Sequence, residues 1–339
     1  MPHIGPMARL GDWVEARREG IYLPLVNAWI DPAVPVARAL ITHGHADHAR
    51  GGHGAVLATA ETLAIMGVRY GPQPGGQTQA YGARVDLGGI TASFHPAGHV
   101  LGSAQILLEH RGERIVISGD YKRAADPTCA PFEPVACDVF ITEATFGLPV
   151  FRHPPVSDVI DKLLGALRAA PERCVLVGAY ALGKAQRLIA ELRAAGYAAP
   201  LYIHGALQKL CDLYAAHGVA LGEFRPATGA ASEALAGQII LAPPSALADR
   251  WSRRLPDPVI AMASGWMQVR QRAVQRGVEL PLILSDHADW DGLTETITQL
   301  APEETWVTHG REEALVHWCE TRQMKARALA LVGYEDEDD

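Results

Sequence analysis

The stretch THGHADHARGG, residues 42–52, places His43, His45, Asp47 and His48 within six positions. Neutral imidazole and carboxylate are good ligands for a borderline divalent cation such as zinc. In an extended segment alternate side chains point the same way, so the H-x-H-x-D-H run presents His43, His45 and Asp47 on one face. One mononuclear site needs only three or four ligands. The excess implies two metals, completed by donors from elsewhere. His99, Asp120 and His309 are the candidates, each at the end of an apolar run. Two such cations can activate a water and stabilise both the attacking and the leaving oxygens of a displacement at phosphorus.

The first part of the chain reads as short strands and turns that deliver these residues. GIYLPLVNAWIDP, 20–32, has strand-like runs ended by Asp-Pro, and VARALITHG, 36–44, ends at the histidine cluster. GITASFHPAGH, 89–99, and SAQILLEH, 103–110, flank a Gly-rich bend; ERIVISGD, 113–120, ends at Asp120, and CDVFITEATFG, 137–147, carries Glu143. A rigid buried strand with a variable loop beyond it is a common setting for a site.

The rhythm changes near residue 155. Ser157 can cap a helix whose apolar face is Ile160, Leu163, Leu164 and Leu167, with Asp158 and Asp161 in its positive first turn and Pro171 as its stop. Strands and helices then alternate: CVLVGAY, KAQRLIAELRAAG, APLYIHG, ALQKLCDLYAAHG, QIILAP and DPVIAMAS. Such alternation implies a parallel sheet with helices on its faces, a second α/β unit. PLILSDHADW, 281–290, and ETWVTHG, 304–310, return to strands that end in His287 and His309.

A chain of 339 residues accommodates two domains, and 48% hydrophobic with 20% charged residues describes an ordinary globular core. No apolar run reaches the ~18 residues of a membrane span. The N-terminal segment has no apolar signal core, so the expected location is cytoplasmic, with no membrane partner. Five scattered cysteines without a C-x-x-C pair read as reduced, mostly buried thiols. A net charge of −8 argues against coating nucleic acid through bulk charge. Local charge runs the other way: Arg250, Arg253, Arg254, Arg270, Arg272 and Arg276 accompany a single acid, Asp257, whereas the last six residues, YEDEDD, read as a solvated acidic tail.

THGHADHA resembles the signature of the metallo-β-lactamase fold, an αβ/βα sandwich. HPAGHVLGSAQ, ISGDYKR and VTHGRE are similar to the later ligand motifs of that fold in order and spacing. The resemblance implies one metal held by His43, His45 and His99, a second by Asp47, His48 and His309, and Asp120 bridging them. Zinc is the expected ion, with manganese as an alternative. ITEATFG and SDHADWDGL further resemble the acidic and histidine motifs that flank the inserted cap of the β-CASP nucleases, and YALGKAQRL and MASGWMQVR are similar to cap segments. The implied fold class is α/β, a metallo-β-lactamase sandwich with an inserted α/β β-CASP cap. The implied division is 1–149 and 278–333 for the sandwich, 150–277 for the cap and 334–339 for the tail. The longest strings, including SGDYKRAADPTCAPFEPVACD and ITEATFGLPVFRH, are similar to bacterial exonucleases associated with an ATP-dependent DNA ligase.

That resemblance implies a metal-dependent exonuclease acting on DNA ends, from a 5′-phosphate, in DNA repair, with a DNA ligase and a helicase as functional partners. The catalytic residues would be Asp47, Asp120, Glu143 and His287. Imidazole titrates near neutrality, so His287 suits protonation of a leaving 3′-oxygen, with Glu143 orienting it and raising its pKa. Ser103, Ser264 and Gly265 are candidate donors to a phosphate. Lys184, Arg187, Arg270 and Arg272 are candidates for following the backbone of a bound strand. His53, His95 and His204 read as supporting or structural. One position points elsewhere: DNA-acting relatives of the Artemis and Apollo type usually carry valine in the last motif, and RNA-processing members carry histidine, as at His309. An RNA-processing ribonuclease is therefore the alternative. A thioester or lactone hydrolase of the same fold is the second.

Overall fold

The structure, a computed structural model, describes residues 10–329. The acidic tail expected over 334–339 lies outside the described residues. The chain forms two compact units. Among the described residues one comprises 10–125, 130–149 and 287–329; the other comprises 126–129 and 150–286.

The first unit is built on two sheets. A six-stranded sheet has the order Glu15–Arg17, Gly20–Leu23, Ala28–Ile30, Arg38–Leu40, Ala55–Ala58, Gly76–Thr78. A seven-stranded sheet has the order Ala326–Ala328, Glu304–Gly310, Val139–Ala144, Glu113–Ile117, Ala104–His110, Thr91–Pro96, Arg84–Asp86. Alternation along each strand sends one set of side chains between the sheets and the other set outward. Ile21, Leu23, Ile30, Leu40, Phe94, Ile106, Ile115, Ile141 and Trp306 form the core between them. On the outer face of the larger sheet, Phe140 and Val307 pack with Trp290, Leu293 and Ile297 of the helix Trp290–Leu300 and Leu315 of the helix Glu312–Glu320. On the outer face of the smaller, Ala39, Val56 and Ala58 pack with Met66 of the helix Ala60–Tyr70. The layers are thus helix, sheet, sheet, helix.

Strand direction explains why the candidate residues gather. Glu113–Ile117, Val139–Ala144 and Glu304–Gly310 are mutually parallel, so their C-terminal ends share one edge. Thr91–Pro96 runs antiparallel to Ala104–His110, which is antiparallel to Glu113–Ile117, so it ends at that edge too. In the other sheet Ala28–Ile30 and Arg38–Leu40 are parallel and deliver Asp31 and Thr42 side by side. Gly119, at φ +54, brings the loop before Asp120 against Thr42; a Cβ there would lie 2.7 Å from the Thr42 side chain.

The second unit has a six-stranded, wholly parallel sheet in the order Phe224–Pro226, Leu201–Ile203, Ile239–Ala242, Val175–Gly178, Val259–Ala263, Leu280–Leu282. The helices Val156–Ala169, Lys184–Ala194 and Gly205–Ala216 belong to it. Two local expectations are corrected. Ser157 does not cap its helix: Pro155 is the N-cap residue, no side chain caps it, and Ser157 sits inside the first turn. Leu280–Leu282 does not return to the first unit but pairs with Ala261–Ala263 as the edge of the third sheet. An apolar run carries no mark of which sheet it will join, so its partner is settled by packing. Among the described residues the five cysteines are free thiols, four of them buried.

Candidate metal centre

The two sheets of the first unit bring histidines from several strand tips, three of them from the loop after Arg38–Leu40, into a single cluster. Ligand atoms of His43, His45, His99 and Asp120 all lie within 4.8 Å of one another, and all four residues are buried. His43 Nε2 and His99 Nε2 are 3.3 and 3.6 Å from Asp120 Oδ2. His45 Nδ1 is 2.9 Å from His99 Nε2. At the same carboxylate oxygen, His48 Nε2 is 3.5 Å from Asp120 Oδ2, and it is 3.4 Å from Asp47 Oδ2. The His48 and His309 rings lie 5.2 Å apart. Asp120 Oδ2 therefore faces His43, His48 and His99 together.

Burial sets the electrostatics. His43 is driven well below the usual imidazole range by burial and then by the neighbouring imidazoles. His309 is lowered well below that range by burial and by His48. Burial also works against a charge on His48, but Asp120, Asp47 and Asp31 outweigh it and hold its pKa well above the imidazole range. Asp120 is pushed up to about 7, chiefly by burial, against the pull of His48 and His287. Asp47 is lowered: His48 and His45 outweigh its burial.

The donors fit divalent cations. His43 Nε2 and Asp47 Oδ1 are buried without a hydrogen-bond partner among the described residues, and a lone pair left so inside a protein carries a desolvation penalty. Imidazole nitrogens and carboxylate oxygens crowded to this degree are a zinc-type ligand set.

The support behind the cluster is as ordered as the cluster. Asp31 Oδ2 accepts from His48 Nδ1 at 2.8 Å, and its Oδ1 accepts from the Thr42 backbone N–H at 2.8 Å. The Thr42 hydroxyl in turn lies 3.0 Å from His43 Nδ1. A carboxylate on the far nitrogen fixes an imidazole's orientation and tautomer and raises its basicity as a ligand. Sequence reasoning read Asp31 only as a strand end. The signal available was its position in IDP, directly after a strand; its unusual backbone, φ 46, emerges only in the fold.

Beside Asp120, Glu143 is fully buried. Its Oε1 accepts from the Tyr121 backbone N–H at 2.8 Å and its Oε2 meets His287 Nδ1 at 2.9 Å. His287 Nδ1 is 3.9 Å from Asp120 Oδ2, and its ring is 4.7 Å from that of His99. Asp120, Glu143 and His287 form a second group of clustered donor atoms.

The other sequence candidates separate. Ser103 is buried, and its hydroxyl oxygen accepts from the N–H groups of His99 and Val100, closing the bend that presents His99. Arg187, expected to follow a bound strand, is instead buried in the second unit: Nε is 3.3 Å from Asp126, a terminal nitrogen is 3.6 Å from Asp286, and it donates to the Ser285 carbonyl. Lys184 is also buried, with Nζ 3.8 Å from Asp286 and over the Tyr180 ring. Neither is a solvent-facing cation, because each lies where the first turn of its helix packs against acids. Arg270 is exposed, and Arg272 lies with its guanidinium 4.2 Å over Trp266. Ser264 caps the short helix Gly265–Gln268, accepting from Trp266 N–H, and Gly265 is buried in its first turn. His53 accepts from the Val36 N–H, His95 lies between Ser93 and Glu133, and His204 caps the helix Gly205–Ala216.

No protein-family model matches the chain. A probable DNA ligase of Opitutus terrae is 30% identical over 331 residues, covering 94% of this chain and 31% of that protein. Cleavage and polyadenylation specificity factor subunit 3 of Dictyostelium discoideum is 34% identical over 142 residues, 39% of this chain and 18% of the relative. Endoribonuclease YSH1 of Saccharomyces cerevisiae is 35% identical over 117 residues, 33% of this chain and 15% of the relative. The fold is that of the β-CASP metallo-β-lactamases. A crystal structure of a protein of unknown function from Enterococcus faecalis shares the fold, with TM-score 0.57 at 12% identity, over 88% of this chain and 80% of that one. The chain spans 31% of the first of these curated relatives and less of the other two. Among its described residues no helix is long and apolar enough to cross a membrane.

Proposed function

We propose that the chain is a metal-dependent nuclease that hydrolyses phosphodiester bonds at DNA ends, removing nucleotides from a 5′-phosphorylated terminus in the course of DNA repair. The observation that carries the hydrolytic part is the placing of the Glu143–His287 pair beside Asp120, where the donor cluster ends. His43, His45 and His99 would hold one cation, Asp47, His48 and His309 a second, with Asp120 between. Zinc suits the imidazole-rich set, and manganese is an alternative. Two cations there supply Lewis-acid stabilisation of charge on phosphoryl oxygens and lower the pKa of water.

The chain's own residues do the rest. Glu143 Oε2 accepts a hydrogen bond from His287 Nδ1–H, so the proton available for transfer is the one on Nε2. A carboxylate partner favours the imidazolium, which can donate that proton to the leaving 3′-oxygen. Tyr121 N–H fixes the other Glu143 oxygen, so the acid is held in one orientation before substrate arrives. Asp47 offers a second carboxylate oxygen able to orient or deprotonate the attacking water.

The DNA assignment is supported by the alignment of nearly the whole chain with a protein named a probable DNA ligase; a DNA ligase and a helicase are the functional partners that go with this proposal. The name endoribonuclease, borne by another relative, and His309 in the last motif support an RNA-processing reading as the alternative. Four oligonucleotides, DNA or RNA with a 5′ or 3′ label, test both. The expected result is mononucleotide release from 5′-phosphorylated DNA, abolished by chelator. Equal rates on 5′-hydroxyl DNA, internal cuts, or preference for RNA would replace it. Hydrolysis of a thioester with no oligonucleotide cleavage would remove the nuclease reading altogether.

A further inference from the structure

At His309 in the first unit lies a small cavity lined by Ile21, Ile30, Ile117 and Ile141 together with Asp31, Ser118, Gly119, Thr308 and His309. It leaves about 10 Å³ for the centre of a water-sized sphere, which is near the least that one water requires. Trp306, two residues before Thr308, belongs to the core between the sheets, whereas Val307 belongs to the outer core. Thr308 itself lines the cavity. Thr308 is 4% exposed, and its hydroxyl has no hydrogen-bond partner among the described residues. Ser118 is also buried, and its hydroxyl donates to the Gly119 carbonyl, which leaves its oxygen able to accept.

We propose that one water molecule is bound in this cavity, held by the Thr308 hydroxyl and bridging it to the polar groups of Ser118 and Asp31. A buried hydroxyl without a partner is costly, and buried waters occur where a cavity of this size offers two to four polar contacts. The isoleucines alone would leave it dry; the polar residues of the lining supply the partners. The water ties the end of the strand Glu304–Gly310, where His309 takes the left-handed backbone φ 58, to the carboxylate that orients His48. The inference stands whatever substrate the protein cleaves.

Thr308→Val gives a test whose sign separates wet from dry. Valine keeps the shape of threonine and removes the hydroxyl. With a bound water, the change strips that water of a partner, and the melting temperature of the full metal-loaded chain should fall by about 2–4 °C. With a dry cavity, the change removes an unsatisfied group, and the melting temperature should hold or rise. A high-resolution crystal structure of the unsubstituted chain should show density within hydrogen-bond distance of Thr308 Oγ1, and Thr308→Ser should retain it. An empty cavity in that structure, or a Thr308→Val chain as stable as the parent, overturns the proposal.

Discussion

Glu143 Oε2 and His287 Nδ1 meet at 2.9 Å although 144 residues separate them along the chain. The carboxylate is clamped at its other oxygen by the Tyr121 N–H, so the imidazole is aimed by a partner that cannot turn away. His287→Ala should keep its metals and its substrate affinity and lose kcat by about 10²–10⁴-fold, the range for a lost general acid. Glu143→Ala should lose less, and the double variant little more than His287→Ala alone, since one residue acts through the other. Single-turnover kinetics with a 3′-bridging phosphorothiolate, a better leaving group, should restore His287→Ala. Loss of metal from His287→Ala would make it a ligand instead.

Asp120 Oδ2 faces His43, His48 and His99 at once. Elemental analysis of the purified protein should find close to two divalent cations per chain. Asp120→Ala should lower that content and abolish activity, and the phosphorothiolate should not restore it. A single tightly bound cation that reconstitution cannot raise would argue for a mononuclear site.

Asp31 should matter to metal affinity without being a ligand. It holds His48 Nδ1 and the Thr42 N–H together. Asp31→Ala should weaken binding of one cation by about 10–100-fold, the usual effect of removing an imidazole's outer partner. Titration calorimetry on the apo protein, showing one weakened step and one unchanged, is the expected pattern. Two unchanged steps would make Asp31 a strand-end residue only.

Arg187 and Arg270 should behave in opposite ways. Arg187 is buried among Asp126, Glu191 and Asp286, and Arg187→Met removes its guanidinium from those acids, a loss of about 3–5 kcal/mol of stability by denaturant unfolding. Charge reversal at exposed Arg270, with Arg272, should leave the fold intact and weaken oligonucleotide binding. The slope of log affinity against log salt should drop by about one for each phosphate that is no longer neutralised. An unchanged slope would put both on a solvated face.

The sequence by itself determined the ligand types and the order of the elements. H-x-H-x-D-H is dense enough to read directly, because no core needs so many polar groups in six positions. Apolar runs ending at Asp120 and alternating strands and helices after residue 155 were legible for the same local reason. What only the tertiary structure decided depends on partners distant in the chain. Asp31 and Ser103 support the cluster through contacts that no spacing encodes. Leu280–Leu282 joined the third sheet because strand pairing is chosen by packing, not by composition. Arg187 and Arg270 are both helical arginines of the second unit, yet one is sealed among acids and the other faces water. A formal charge is fixed by residue type; its use depends on what the fold brings within a few ångströms of it.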